Sequence, residues 1–160
     1  MQNGLQKISP VIFGLTLICF FLPFINVSCQ GQKVATFTGI QLVKGTTIQQ
    51  PSMFGERPKA QKVNPEPLAI LAFLSAIVGL GLSFLKGRKL AIAPAIFGIA
   101  GLILLLLLKS KIDHDALREG RGMLQPEYDI GFWLTFVLFL AAAGLNGFIF
   151  LQGKQKGGTS

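Results

Sequence analysis

Asp113, His114, Asp115 and Glu119 form the only cluster in the 160 residues that carries acid, base or metal-ligand chemistry. They lie within "KSKIDHDALREGRGMLQPEYD", residues 109–129. One imidazole and three carboxylates supply nitrogen and oxygen ligands. Asp115 and Glu119 stand at i and i+4, on one face of a helix. A divalent cation would use such a set, and so would a general acid–base step. Two features weigh against both. The histidine has no cysteine or second histidine beside it, and the segment offers no nucleophile. Arg118 and Arg121 stand close by, so a solvated acidic patch paired with them is the plainer reading. The expectation is no catalytic residue, no metal and no cofactor.

The two cysteines point the same way. Cys19 and Cys29 are ten residues apart. In one helix that is about 15 Å of rise, too far for a disulfide within the chain. Cys29 is then a small buried hydrophobe, a free thiol or one half of an intermolecular disulfide. No C-x-x-C is present, which argues against a quinone-linked thiol oxidoreductase.

The elements around these residues are greasy. Hydrophobic residues make up 51% of the chain and charged ones only 14%, against about 25% in an average soluble domain. The charges cluster, leaving four uncharged runs: 8–27, 68–85, 90–108 and 130–151. Each has the length of a membrane span, about 17–25 residues. The fold expected is an all-α membrane protein, an up-down bundle of four transmembrane helices. It forms one integral membrane domain over 1–160, with outer loops 28–67 and 109–129 and a tail 152–160. Asn64 is expected to cap the second helix, with Pro65 and Pro67 in its first turn. Pro126 is expected to do likewise for the fourth. Pro94 is expected to bend the third.

Charge sets the orientation. Lys7, the turn "KGRK" (86–89) and Lys154 and Lys156 lie in short segments without acids, whereas all seven acids fall in the two longer loops. Short basic loops stay inside. Both termini are therefore expected in the cytoplasm, in a bacterial plasma membrane. The net charge of +8 flanks hydrophobic runs instead of covering a soluble face. The partner it implies is a lipid bilayer, not a nucleic acid. The stretch "FFLPFINVSC" is expected to stay attached. Its apolar run exceeds the 7–15 residues of a secretory signal, and Asn26 precedes Cys29 where a lipoprotein signal prefers an aliphatic residue.

After Cys29, "GQKVATFTGIQLVKG" is rich in β-branched residues with period-two alternation, so a small extracytoplasmic β-hairpin is expected in the first loop. Gly39 is expected to make its turn. Pro23, Ser28, Cys29 and Gly39 are the marked positions of this loop motif. The phrase "LPFINVSCQGQKVATFTGIQL" looks similar to a motif of small bacterial four-helix (tetraspan) membrane proteins of uncharacterised role. A β-element between the first two helices also resembles the claudin-type layout, in topology only. The tryptophan and paired cysteines of a claudin loop are absent, since the sole Trp133 lies in the fourth run.

The four runs contain no ionisable side chain, and ion paths usually need one. They carry small residues instead: Ser75, Gly79 and Ser83 in the second, Gly98 and Gly101 in the third, and Ala143, Gly144 and Gly147 in the fourth. Such residues let helix backbones approach closely in lipid. The expected role is non-catalytic, a small accessory or assembly subunit of a larger membrane complex. Its partners would be other integral membrane subunits or further copies of itself. The alternative is an oligomeric pore or small-solute transporter lined by Ser75, Ser83, Thr135 and Asn146. A third class is an enzyme at the membrane surface using Asp113, His114, Asp115 and Glu119.

Overall fold

Pro23 decides where the first helix can no longer continue. The structure, a computed structural model, describes residues 2–29, 32–49, 60–84, 92–119 and 124–155. Helix α1 spans Gln2–Cys19, eight residues short of the expected boundary at Val27. Its last turn tightens: Phe20, Phe21 and Leu22 donate their N–H groups to carbonyls three residues back. Proline has no N–H to extend that ladder. Beyond it Ile25 and Val27, both β-branched, favour a strand. Strand β1 runs Pro23–Cys29.

Strand β2, Gln32–Thr38, returns antiparallel against β1. The hairpin connection therefore falls at residues 30–31, not at Gly39. Gly39 instead opens helix α2, Gly39–Lys44. Thr38 and Gln41 form a reciprocal capping box there: Gln41 N–H donates to Thr38 Oγ1 at 3.3 Å, and Thr38 N–H donates to Gln41 Oε1 at 3.0 Å. Gly39 is glycine because it lies against Phe20. An added Cβ would sit 2.8 Å from the ring and 2.9 Å from the backbone oxygen. The β-element expected in the first loop is present, with its turn misplaced by one element. Strands β3 (Thr46–Gln49) and β4 (Ala60–Val63) make a second antiparallel pair.

Helix α3 spans Pro67–Ser83 and α4 spans Ile92–Glu119. Pro67 sits in the first turn of α3, as expected, but the capping position is Glu66, not Asn64. Helix α4 carries the expected extension past Leu108, so Asp113, His114, Asp115 and Glu119 are all helical. Strand β5, Leu124–Tyr128, was not expected. It contains Pro126, which had been assigned to a helix start. Helix α5 then covers Ile130–Gln155. The turn 86–89 and Gly120 and Gly122 lie outside the described residues.

The three-stranded sheet has the order β2-β1-β5. Strand β1 is central and joins the two long loops. Pro126 is tolerated because β5 is an edge strand. The four long helices close a ring: α1 packs on α3 and α5, and α4 packs on the same two. Neighbours run in opposite directions. Phe20 at the end of α1 meets Phe73 early in α3, while Ser9 early in α1 meets Ser83 at the end of α3.

The fold is thus mostly helical with a small antiparallel sheet. Among the described residues, two helices are long and apolar enough to cross a membrane, over Ile92–Arg118 and Ile130–Leu151. The apolar part of α1 (Ile8–Cys19) and all of α3 are shorter. The expected set of four full-length spans is therefore matched in length by two.

At the bundle centre, small residues receive rings. A Cβ on Gly79 would overlap the Phe13 ring, and a Cβ on Gly101 would overlap the Phe139 ring. The two phenylalanines then meet edge to face, 6.5 Å apart. Gly98 lies against the Ala143 backbone, where a Cβ would come within 2.9 Å of its nitrogen.

Candidate functional site: the polar latches of the sheet end

Three polar latches lie at the sheet end of the bundle, two of them holding the sheet to the helices. The first is built on α4 and β5. Tyr128 Oη lies 2.6 Å from Asp113 Oδ1 and 3.0 Å from the Lys109 carbonyl oxygen. One phenolic proton serves both acceptors, and the shorter, charge-assisted bond to the carboxylate is the stronger. Lys109 Nζ donates to Asp113 Oδ2 at 2.7 Å and stands 4.7 Å above the Tyr128 ring. The lysine thus completes a three-way contact, ion pair on one side and cation–π on the other. These groups lie past Leu108, where the uncharged run of α4 ends.

The second latch joins α3 to α4: Lys111 Nζ donates to Glu66 Oε2 at 2.7 Å. That hydrogen bond is the main reason the Lys111 ammonium is held above its ordinary range. The third joins β1, β2 and α5. Asn26 Nδ2 donates to Asp129 Oδ2 at 2.8 Å, and Thr36 Oγ1 donates to Asn26 Oδ1 at 2.7 Å. Asp129 N–H donates to the Phe24 carbonyl at 2.9 Å, and Asp129 Oδ1 accepts from Ile130 N–H at 2.7 Å. The backbone N–H of Ile130, then Asn26, hold the Asp129 carboxyl below the usual carboxylate range.

Burial raises the Tyr128 phenol well above its ordinary value, and the Asp113 carboxylate beside it adds to the rise. For Asp113 burial pushes the other way, but hydrogen bonds from Lys109 and Tyr128 outweigh it and hold the carboxyl low. The signs follow. A depressed carboxyl contributes stability that is lost as pH falls below the ordinary carboxylate range, about 4. A raised phenol contributes stability that is lost as pH rises above about 10, where the unfolded tyrosine ionises. Docking of β5 should be level between these limits. Replacing Tyr128 by Phe should cost about 1 kcal/mol at neutral pH, because Asp113 is over a third exposed. It should also abolish this residue's share of the alkaline loss. Unfolding midpoints across pH for both proteins check this, and an unchanged alkaline limb would disprove the role given to the phenol.

At the far end of the bundle a fourth polar group is buried. Ser9 Oγ donates to Asn146 Oδ1 at 3.0 Å and lies 2.9 Å from Ser83 Oγ. Ser83 Oγ donates to the Gly79 carbonyl, and Asn146 Nδ2 to the Ala142 carbonyl. The knot ties α1, α3 and α5. Among the described residues every buried side-chain nitrogen or oxygen has a partner.

The expected site residues are distributed as follows. Asp113 is occupied by Lys109 and Tyr128, and His114 points outward, exposed. Glu119 ends α4. Among the described residues no three histidine, cysteine or acidic side chains come together as a metal site. Ser75 bonds the Phe97 carbonyl at 2.8 Å, and Thr135 bonds the Gly131 carbonyl of its own helix. With Ser83 and Asn146 in the knot, all four supposed pore-lining residues are engaged inside the bundle. Gly79, Gly98, Gly101 and Ala143 make close helix contacts, whereas Gly144 and Gly147 have nothing within 4 Å of a would-be Cβ. Pro23 begins β1, Ser28 is buried in it, and Cys29 pairs with Gln32 and Leu124.

Sequence reading missed Ser9, Asn26 and Lys109. Lys109 and Asp113 do stand at i and i+4, a legible pairing signal. Asn26 was legible only as a polar residue stranded in an apolar run.

The chain matches no protein-family model and no curated protein.

Proposed function

We propose that the chain is a non-catalytic integral membrane protein in which all four long helices cross the bilayer. It would act as a small accessory or assembly subunit within a larger bacterial plasma-membrane complex, with both termini cytoplasmic. One observation carries the membrane reading. Large apolar side chains face outward on every long helix: Val11, Leu15 and Ile18 on α1, Leu71, Leu74 and Val78 on α3, Ile96, Ile99 and Ile103 on α4, and Val137, Leu140 and Phe148 on α5. Polar groups meanwhile bond one another inside. Soluble monomers rarely expose apolar patches beyond a few hundred Å². Such an inside-out distribution fits helices solvated by acyl chains. The two shorter helices share it fully with the two longer ones, which is the ground for counting four spans.

The accessory role is supported by two features. Of the acid–base candidates, Asp113 is taken up in a structural latch. On α5, Gly144 leaves an exposed small-residue notch that none of the described helices fills. A neighbouring helix could approach closely there. Replacing Gly144 by Leu should leave the stability unchanged or raise it by up to about 1 kcal/mol and should strip foreign subunits from the purified protein. Native mass spectrometry of wild type and variant, extracted in mild detergent, counts the subunits, and a denaturation curve of each gives the stability. Foreign subunits lost with the variant support the reading. A homo-oligomer alone would favour the pore, and a bare monomer would sink the subunit assignment.

A further inference from the structure

The outward stripe of α4 does not end where its uncharged run ends. Ile96, Ile99, Ile103 and Leu107 are exposed along one side of the helix. Beyond Leu108 the same side carries Ser110, His114, Leu117 and Arg118, also exposed. Steps of three and four residues keep all of them on one face. The face changes chemistry at Lys109, and the neighbouring helix marks the same level. The Lys109 carbonyl oxygen accepts from Tyr128 Oη. Just after that tyrosine α5 begins, with Ile130 and Trp133 exposed. Tryptophan is enriched where a bilayer meets water.

The headgroup region is about 5–7 Å deep on each side of the hydrocarbon. At ~1.5 Å per residue Ser110 stands about 3 Å past Leu108, His114 about 9 Å and Arg118 about 15 Å. Helical side chains lean toward the helix N-terminus. Since α4 runs outward from N- to C-terminus, these side chains lean back toward the headgroups, and arginine is long enough to snorkel there. The donors suit a phosphate. A guanidinium offers a fork of N–H groups, an imidazole at least one N–H, and a serine its hydroxyl. His114 and Arg118 stand at i and i+4, side by side. Lys111, at the margin of the stripe, adds an ammonium that is 40% exposed. The nearby acids are placed elsewhere. Asp113 holds Lys109, and Glu66 holds Lys111. Asp115 is half-buried and lies about 100° round the helix from His114. Leu117, 67% exposed, sets an apolar side chain among the donors, which suits a lipid and not a free ion.

We infer that Ser110, His114 and Arg118 seat the phosphate of an anionic phospholipid, whose chains lie along the apolar stripe of α4 beneath them. This inference rests on the membrane reading above, and its test separates the two.

The full-length protein is reconstituted into vesicles of equimolar phosphatidylglycerol and phosphatidylcholine with identical chains. Flotation measures membrane integration. Native mass spectrometry after mild detergent extraction counts the lipids kept on the protein. One basic residue near an anionic headgroup is worth a factor of about five, so phosphatidylglycerol should be kept about fivefold over phosphatidylcholine. The double variant His114→Gln, Arg118→Gln should bring the ratio near one. Arg118→Lys should keep most of it, and so should Lys33→Gln, at an exposed lysine of β2. In the wild type the ratio should fall toward one as salt approaches about 1 M, where the screening length is about 3 Å. Inorganic phosphate added to the extract should not displace the lipid. A wild-type ratio near one, a ratio that neither salt nor the double variant moves, or displacement by phosphate overturns the lipid seat and leaves the membrane reading standing. Failure to float overturns both.

Discussion

Replacing Phe139 by Ala should destabilise the bundle by about 2–3 kcal/mol. In a water-soluble core the same truncation costs about 3–5 kcal/mol, of which part is the return of apolar surface to water. Helices surrounded by acyl chains lack that part. They keep the cavity term, about 24 cal/mol per Å³, and an emptied phenyl site is on the order of 100 Å³. Phe139 fills the notch at Gly101 and meets Phe13, which fills the notch at Gly79.

The complementary substitution has a sign that only packing explains. Gly→Ala inside a helix ordinarily stabilises by about 1 kcal/mol. Gly101→Ala should instead destabilise by about 1–3 kcal/mol, because the new methyl meets the Phe139 ring. Gly14 and Gly81 have nothing within 4 Å of a would-be Cβ, so alanine there should be neutral or stabilising. Denaturation midpoints of the three variants decide the matter. Equal effects at Gly81 and Gly101 would show that the notches do not carry the packing.

The second large effect is expected at the sheet. Asn26→Ala should loosen the sheet from α5, since it leaves Thr36 without its acceptor and Asp129 Oδ2 without its donor. Asn26 is itself 6% exposed, so its loss also empties a buried position, while water can reach the exposed Thr36 hydroxyl. The loss should be local first. Amides of β1 and β5 should exchange faster while those of α4 stay protected. Protection falling uniformly across the chain would mean that the cap and the bundle unfold as one unit. Asn26→Asp should be worse than Ala, because it sets a second carboxylate against Asp129.

Much of this architecture was legible beforehand. Four uncharged runs separated by charged segments placed the four long helices to within a turn or so at most ends. Periodicity and β-branching placed a β-element after Cys29. The extension of α4 past Leu108 followed from Ile112, Ala116 and Leu117. These are local properties: hydropathy and backbone preference act over a few neighbouring residues, and a single chain displays them.

What only the tertiary structure decided is every feature that needs a distant partner. Strand β1 buries polar and apolar residues alike, Asn26 and Ser28 beside Phe24 and Ile25, and is paired on both edges by β2 and β5. Alternation therefore failed there, and Ile25–Val27 was assigned to a helix. Strand β5 has no strand signal of its own, and Pro126 argued against one. It becomes a strand because β1 presents an unpaired edge. Asn26 and Asp129 are 103 residues apart, and Ser9 and Asn146 are 137 apart. The spacing of small residues was visible in the sequence, yet which glycine receives a ring and which stays open was not. Gly101 and Gly144 have the same lack of a side chain, and the neighbouring helix alone distinguishes them, since packing depends on what the fold brings opposite.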